Sequence, residues 1–430
     1  MSTIAAAAPA AAIENATAVT GPVRFLGTER AYRRLLVRGA VLLVLTLGIY
    51  RFWLATDVRR FLWTHTEVAD HTLEYSGTAL ELLLGFLMAT AILVPLYAGF
   101  FFLALELGAL GKFTGLIAFV VLALLGQFAI YRARRYRLTR TIYRGIRFHQ
   151  TGSAWRYAVN AVAWWAVTFA TLGLAYPWAQ AALERFKMEN TYYGNMPGLF
   201  AGSGLRLFLR GFLLWAAVMG PFIYAVVTIV QSVNLGALAE AAAAAQDADD
   251  FLGRVEGSNP NLAAAFVSAA MAVGWALLAA ALLYPVFQAL VLRWWSSGLR
   301  FGDIALHSRL RTAQVYGVYL RFASYAIGFA LIAGIVGAVE LSVIGRLGGA
   351  EQMSTAAEIV ASVVLIGTYV IFALAFSTLY QATVKLSLWR LGMESLDMTN
   401  LAALETVRAV GLPSSAVGEG LADALSVGGY

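Results

Sequence analysis

The chain has 430 residues, of which 60% are hydrophobic and only 13% charged, with a formal net charge of +7 and a mean hydropathy of +0.72. A soluble domain cannot solvate such a surface, so the composition places the chain in a membrane. It contains no cysteine, which excludes disulfides, thiolate metal sites and cysteine nucleophiles.

Residues 1–21 are rich in Ala and Thr and have neither a basic leader nor an apolar core, so they are expected to form a disordered cytoplasmic tail. Eight apolar runs follow, at 35–54, 82–105, 116–131, 158–176, 212–230, 266–286, 322–344 and 359–380. These lengths approach the roughly 20 residues a helix needs to cross hydrocarbon. The alternating segments of a membrane barrel are absent. The expected class is an all-α polytopic transmembrane helix bundle.

The first and fourth runs carry one phrase written twice, TLGIYRFW from Thr46 to Trp53 and TLGLAYPW from Thr171 to Trp178. Gly48, Tyr50 and Trp53 in one copy answer to Gly173, Tyr176 and Trp178 in the other. Arg60-Phe61 and Arg185-Phe186 follow seven residues past each Trp, and Phe25 precedes Tyr32-Arg33 as Phe148 precedes Trp155-Arg156. Landmark offsets of 123 to 125 residues indicate internal tandem repeats. They are expected at 22–147 and 148–300, the second with an outer loop at 231–262, with a partial third at 301–398. A cytoplasmic tail, 399–430, holds a short helix at 399–410.

Charge between the runs sets orientation. Residues 132–156 carry eight Arg and 293–321 carry five, which places both segments in the cytoplasm, while 231–262 has Arg254 against five carboxylates and belongs outside. Two runs lie between the first and last of these landmarks where an odd number of crossings is required, so 158–176 does not cross. The first run behaves alike: Arg38 and Arg51 bracket 12 residues, about 18 Å of helix against a core of about 30 Å. The expectation is six crossings plus two re-entrant or interfacial helices, with Gly48 and Gly173 at a turn or close contact and both termini cytoplasmic. Eight crossings is the alternative. Aromatic residues followed closely by Gly, at Tyr75 to Gly77, Tyr193-Gly194 and Phe301-Gly302, suit short extended segments ending in tight turns beneath the membrane.

The order Phe-x-Gly-x-x-x-x-Tyr-Arg-Arg from Phe25 to Arg34, then TLGIYRFW, then Arg59-Arg60-Phe61-Leu62-Trp63 and Glu74-Tyr75-Ser76-Gly77-Thr78, resembles the YjgN-like family of bacterial inner-membrane proteins. The likeness runs from about Phe25 to Asp397. It implies a multi-pass inner-membrane location and no assigned reaction.

Little in the sequence supports catalysis. The four histidines, His65, His71, His149 and His307, lack HExxH spacing, and no phosphate-binding loop or dinucleotide fingerprint is present. No enzyme activity, cofactor, metal or nucleic-acid partner is expected. Carboxylates near apolar runs are the candidate membrane carboxylates, namely Glu81, Glu106 and Glu340, because an unpaired charge in hydrocarbon is costly. With 28 Arg against 3 Lys, Arg132, Arg134, Arg135, Arg137, Arg140, Arg144 and Arg147 are candidate contacts for anionic phospholipid headgroups. The functional expectation is transport or handling of a small or lipidic solute. That expectation includes a cavity lined by Gln127, Asn160, Gln231, Asn234 and Gln288. The alternative is a scaffold for an envelope protease or lipid machinery.

Overall fold

A computed structural model describes residues 21–106, 111–245, 247–348, 355–410 and 423. The expected N-terminal tail and most of the C-terminal one lie outside these residues. Among the described residues one element order occurs five times: a strand of four or five residues or its three-residue partner at each end, with a helix pair between.

The first unit is β1 (Gly21–Phe25), α1 (Glu29–Leu45), α2 (Arg51–Thr64) and β2 (Thr66–Val68). The second is β3 (His71–Tyr75), α3 (Ala79–Glu106), α4 (Gly111–Thr139) and β4 (Thr141–Tyr143). The third is β5 (Ile146–Gln150), α5 (Ala154–Ala170), α6 (Tyr176–Glu189) and β6 (Thr191–Tyr193). The fourth is β7 (Met196–Phe200), α7 (Gly204–Ser232), the short helices α8 (Leu235–Ala244) and α9 (Ala248–Ser258), α10 (Leu262–Gly298) and β8 (Leu299–Phe301). The fifth is β9 (Ile304–Ser308), α11 (Thr312–Gly348) and α12 (Thr355–Tyr380), which continues through a π-turn at Gln381–Lys385 into α13 (Leu386–Glu394), then β10 (Leu396–Thr399).

The ten short strands pair antiparallel into a closed ring in the order β1-β10-β9-β8-β7-β6-β5-β4-β3-β2. Registers include Val23 with Val68, Leu73 with Tyr143, Phe148 with Tyr193 and Leu396 with Ser308. Two-residue turns join β2–β3, β4–β5, β6–β7 and β8–β9. Their φ angles are positive at Ala69, Asp70, Arg144, Gly145, Gly194 and Gly302, as the tight hairpin turns matched to strand twist require. Tyr193-Gly194 and Phe301-Gly302 are therefore strand ends meeting turns, as the aromatic–Gly spacing predicts. The dominantly helical chain fits the polytopic bundle; the strands are what an all-α description leaves out.

Strand passes to helix through one local device. Phe25, Tyr75 and Phe200 fold their rings over Gly27, Gly77 and Gly202, leaving under 3.0 Å for a Cβ. The next residue caps the helix: Thr28 accepts from the Ala31 N–H (3.3 Å), Thr78 from Glu81 (3.4 Å) and Ser203 from Arg206 (3.5 Å).

Six helices among the described residues are long and apolar enough to cross a membrane: α3, α4, α7, α10, α11 and the continuous α12 to α13 rod. Their large side chains, such as Phe101, Leu213, Leu331 and Tyr369, face outward. The two TLG segments are not among the six. Each is the tip of a helix pair that leaves the ring and returns to it, with legs of 17 and 14 residues, about 25 and 21 Å at 1.5 Å per residue. Leu47, Gly48, Leu172 and Gly173 all have positive φ, and Gly48 and Gly173 occupy the turn. Thr46 and Thr171 fasten the tips, each donating to a carbonyl four residues back and accepting an N–H four residues on.

The bounds of β1, α1, α2, β2 and β3 return 125 residues later in β5, α5, α6, β6 and β7, as 21 to 146, 29 to 154, 51 to 176, 66 to 191 and 71 to 196. This single offset corrects the upstream alignment: Tyr32 answers to Tyr157, not Trp155, and both are buried. The segment 231–262 is likewise more ordered than a loop, because α8 and α9 fill it. The helix expected at 399–410 is a 3-10 helix at Leu401–Thr406.

One buried core lies where the first short hairpin meets the ring. Tyr32, Leu36, Val58, Leu62 and Trp63 close on Phe25, Tyr75 and Leu386, and Trp63 stacks on Trp389 at 5.2 Å. Burying each such side chain contributes about 1.5–3 kcal/mol.

Candidate functional site

The last turns of α4 and the residue after it, Tyr131 to Arg140, pack against the ring strands, as do the ends of α2 and α6. Tyr131, Ala133 and Tyr136 are fully buried there, so the neighbouring arginines are carried inward with them. Arg134 donates from Nη1 to Gln150 Oε1 (3.0 Å) and Thr191 Oγ1 (2.7 Å). Arg140 grips Glu81 through Nη2 and Nε at 2.9 and 3.2 Å, and Tyr136 Oη donates to the same carboxylate at 2.6 Å. Beside them, Lys187 pairs with Glu184, which also accepts from Trp295 Nε1 at 3.0 Å.

A third group brings together residues far apart in sequence. Arg59 of α2 and Arg137 of α4 converge on the carboxylate of Asp423, whose side chain is 0% exposed. Arg59 Nη1 and Nη2 fork onto its two oxygens, Nη2 at 3.1 Å, while Arg137 Nη1 donates to Oδ1 at 3.1 Å. Arg59 Nη1 also donates to Tyr75 Oη at 3.2 Å. Burial opposes the charge on Arg59, but Asp423 and Tyr75 outweigh it and hold the guanidinium above its ordinary range. At Lys187 burial wins, and its pKa is lowered despite Glu184.

The arginines marked as lipid-headgroup candidates are thus largely engaged with protein. Arg135 donates to the carbonyls of Thr151 (3.2 Å) and Gly152, and Arg147 to Ser76 Oγ (3.1 Å) and the Thr139 carbonyl (3.2 Å). Arg132 lies over the Phe128 ring. Arg144 sits in the β4–β5 turn, at the end of the ring away from the helices. Glu81 is held by Arg140 and Tyr136, and Glu340 accepts from Thr368 Oγ1 at 2.5 Å. The Glu106 side chain lies outside the described residues. Tyr50 stacks on Trp53 at 6.2 Å, and Tyr176 and Trp178 pack against Phe287 and Phe208.

Four of the five residues expected to line a polar cavity are exposed or engaged elsewhere. Asn160 and Gln231 are exposed, Asn234 caps α8, and Gln288 accepts from Tyr319 Oη at 2.6 Å. Two grooves lie beside the short hairpins. One, of about 760 Å³, lies between α1, α11 and α12. Glu29, Arg33, Val37, Val41 and Val44 form one face of α1 at helical spacing, with Arg321, Phe329 and Leu374 opposite. The charged residues lie at its ring end, and from Arg33 to Val44 the wall rises about 16 Å at 1.5 Å per residue. Arg321 is tied to Glu29 (3.5 Å) and Ser387 (2.7 Å), while Arg33 is exposed. The other groove, about 370 Å³, lies beside the second TLG tip among α5, α6, α7 and α10 and is apolar, lined by Leu174, Phe208, Trp215 and Phe287 among others.

The inward turn of the arginines has a signal in the sequence, since Tyr131, Ala133 and Tyr136 interleave with them. Asp423 and the grooves have none, because their parts are brought together from distant stretches of the chain. No curated protein and no solved structure matches the chain. The family described as a bacterial protein of unknown function, DUF898, matches residues 20–424. The chain therefore belongs to this bacterial family, the YjgN-like one that its opening motifs resemble.

Proposed function

We propose that the protein holds and handles an anionic amphiphile, a lipid or lipid-like solute with an acidic headgroup, in the bacterial inner membrane. The groove between α1, α11 and α12 carries this reading. It sets Arg33 and Arg321 against one carboxylate at the ring end, below an apolar wall of about one leaflet's depth, half of the roughly 30 Å core. Guanidinium groups at that level suit a phosphate headgroup, and the valines above suit an acyl chain.

In the same reading the ring and both termini face the cytoplasm, in line with the arginine-rich 132–156 stretch. The short hairpins enter the membrane from that side and return, and the offset of 125 residues reflects a duplicated unit. Hairpins that stop short of the far face leave room between the full-length pairs, which supports solute handling over a merely packed bundle.

The test is lipid analysis of the purified protein. Wild type is expected to retain phosphatidylglycerol over phosphatidylcholine. Arg33→Ala combined with Arg321→Ala weakens that retention by about 2 kcal/mol, at about 1 kcal/mol per nearby charge, or about thirtyfold. Equal retention by both proteins would sink the reading, as would retention of the zwitterionic lipid in preference.

A further inference from the structure

We infer that Arg59, Arg137 and Tyr75 form a buried oxyanion site for a phosphate-bearing solute, and that the chain's own Asp423 carboxylate occupies it as an internal stand-in. This goes beyond the groove reading, since none of these residues lines the groove, and either can fail without the other.

Three observations carry it. Two guanidinium groups from different helices meet one carboxylate, and both of its oxygens are already engaged. A donor is nevertheless left over: Arg59 Nε is buried and has no hydrogen-bond partner among the described residues, a costly condition for a charged group. Phosphate brings a third oxygen and a second negative charge, and so meets both the spare donor and the paired cations better than a carboxylate does.

The third observation is where Asp423 comes from. It lies 364 residues from Arg59 in sequence, so only the C-terminal stretch delivers it. That stretch is also held at an independent point: the Asn195 N–H donates to the Arg408 carbonyl at 3.1 Å, and the Arg408 N–H to Asn195 Oδ1 at 2.8 Å. The contact lies on the β6–β7 turn of the ring. Asp423 belongs to none of the five strand–helix–strand units, so losing it from the site breaks no helix pair, as losing a carboxylate within α2 or α4 would.

The test compares the full-length protein with Asp423→Asn in detergent, titrated with inorganic phosphate against chloride at matched ionic strength. Asp423→Asn is expected to melt below wild type in chloride, to regain most of the difference in phosphate, and to bind phosphate at least about tenfold more tightly than wild type. Asp423→Asn combined with Arg59→Gln gains nothing. Nanodiscs containing phosphatidic acid, compared with phosphatidylcholine, distinguish the source: stabilisation by inorganic phosphate marks a soluble solute, and stabilisation by phosphatidic acid alone marks a lipid headgroup. No response of Asp423→Asn to either overturns the site, as does an equal response by wild type. Should Asp423→Asn fail to fold, a protease site inserted after Val410 allows the tail to be cut from the folded protein. Phosphate binding must then appear on cleavage, and its failure to appear is equally fatal.

Discussion

The short hairpins α1–α2 and α5–α6 share one backbone and differ in what they carry. At the constant offset of 125 residues, Thr46, Gly48 and Trp53 meet Thr171, Gly173 and Trp178, and Thr66 meets Thr191, so tip and foot are alike. Arg59, however, meets Glu184, Leu62 meets Lys187, and Arg33 meets Ala158. The second hairpin therefore holds both members of an ion pair three residues apart. The first holds a lone buried cation whose counterion must come from elsewhere, and Asp423 supplies it. The groove beside the first has a basic end and the groove beside the second has none. A few shared residues build the hairpins; the positions that differ give each hairpin its chemistry.

The strongest way to break this comparison is to remove the self-contained pair. Glu184→Ala leaves Lys187 and the Trp295 indole N–H without their partner in a buried setting. The expected loss is about 3–5 kcal/mol, the usual result of breaking a buried pair from one side, read from unfolding in detergent. Arg59→Ala is expected to cost less, because Asp423 keeps Arg137. Equal losses at the two positions would mean that the first hairpin is as self-sufficient as the second.

A smaller effect separates the hairpins at alkaline pH. Val68 of β2 meets Tyr193 of β6, and burial, together with the neighbouring Tyr143, pushes the Tyr193 phenol up to about 12, slightly offset by Arg144. The unfolded chain releases this proton near pH 10, so below that pH the two states bind it equally. Between about 10 and 12 the unfolded state has lost it and the folded state has not, and stability falls as pH rises. A two-unit difference corresponds to about 2–3 kcal/mol at most. Tyr193→Phe should flatten part of that decline, measured as melting temperature against pH; a decline of unchanged steepness would exclude Tyr193 as its source.

Much of this fold was legible in the sequence because its signals are local. The 12 residues between Arg38 and Arg51 are too few to cross, and the structure turns the chain back at Gly48. The ring was legible only as turns: strands of three to five residues are too short to show alternation, whereas Tyr193-Gly194 and Phe301-Gly302 show the corners. The charged centre was the part least legible. In the sequence, arginines between 132 and 147 read as a topology signal, and that reading hides the fact that Arg134, Arg137 and Arg140 point at protein partners. Asp423, in a tail of small residues, carries no pattern of its own.

The gentlest probe asks whether the two tips are equivalent in energy as well as in shape. Gly48 and Gly173 share φ +90, where any side chain is strained. An added Cβ meets nothing within 4 Å at Gly48, and at Gly173 it meets Trp215 at 3.5 Å, an ordinary contact. Strain alone should therefore set the cost, and Gly48→Ala and Gly173→Ala should each lose about 1 kcal/mol. Trp215 Nε1 donates to the Leu172 carbonyl at 2.8 Å, and the first tip has no counterpart to that bond among the described residues. A markedly larger loss for Gly173→Ala would show that this bond makes the second tip rigid, and that the hairpins differ in stiffness as well as in charge.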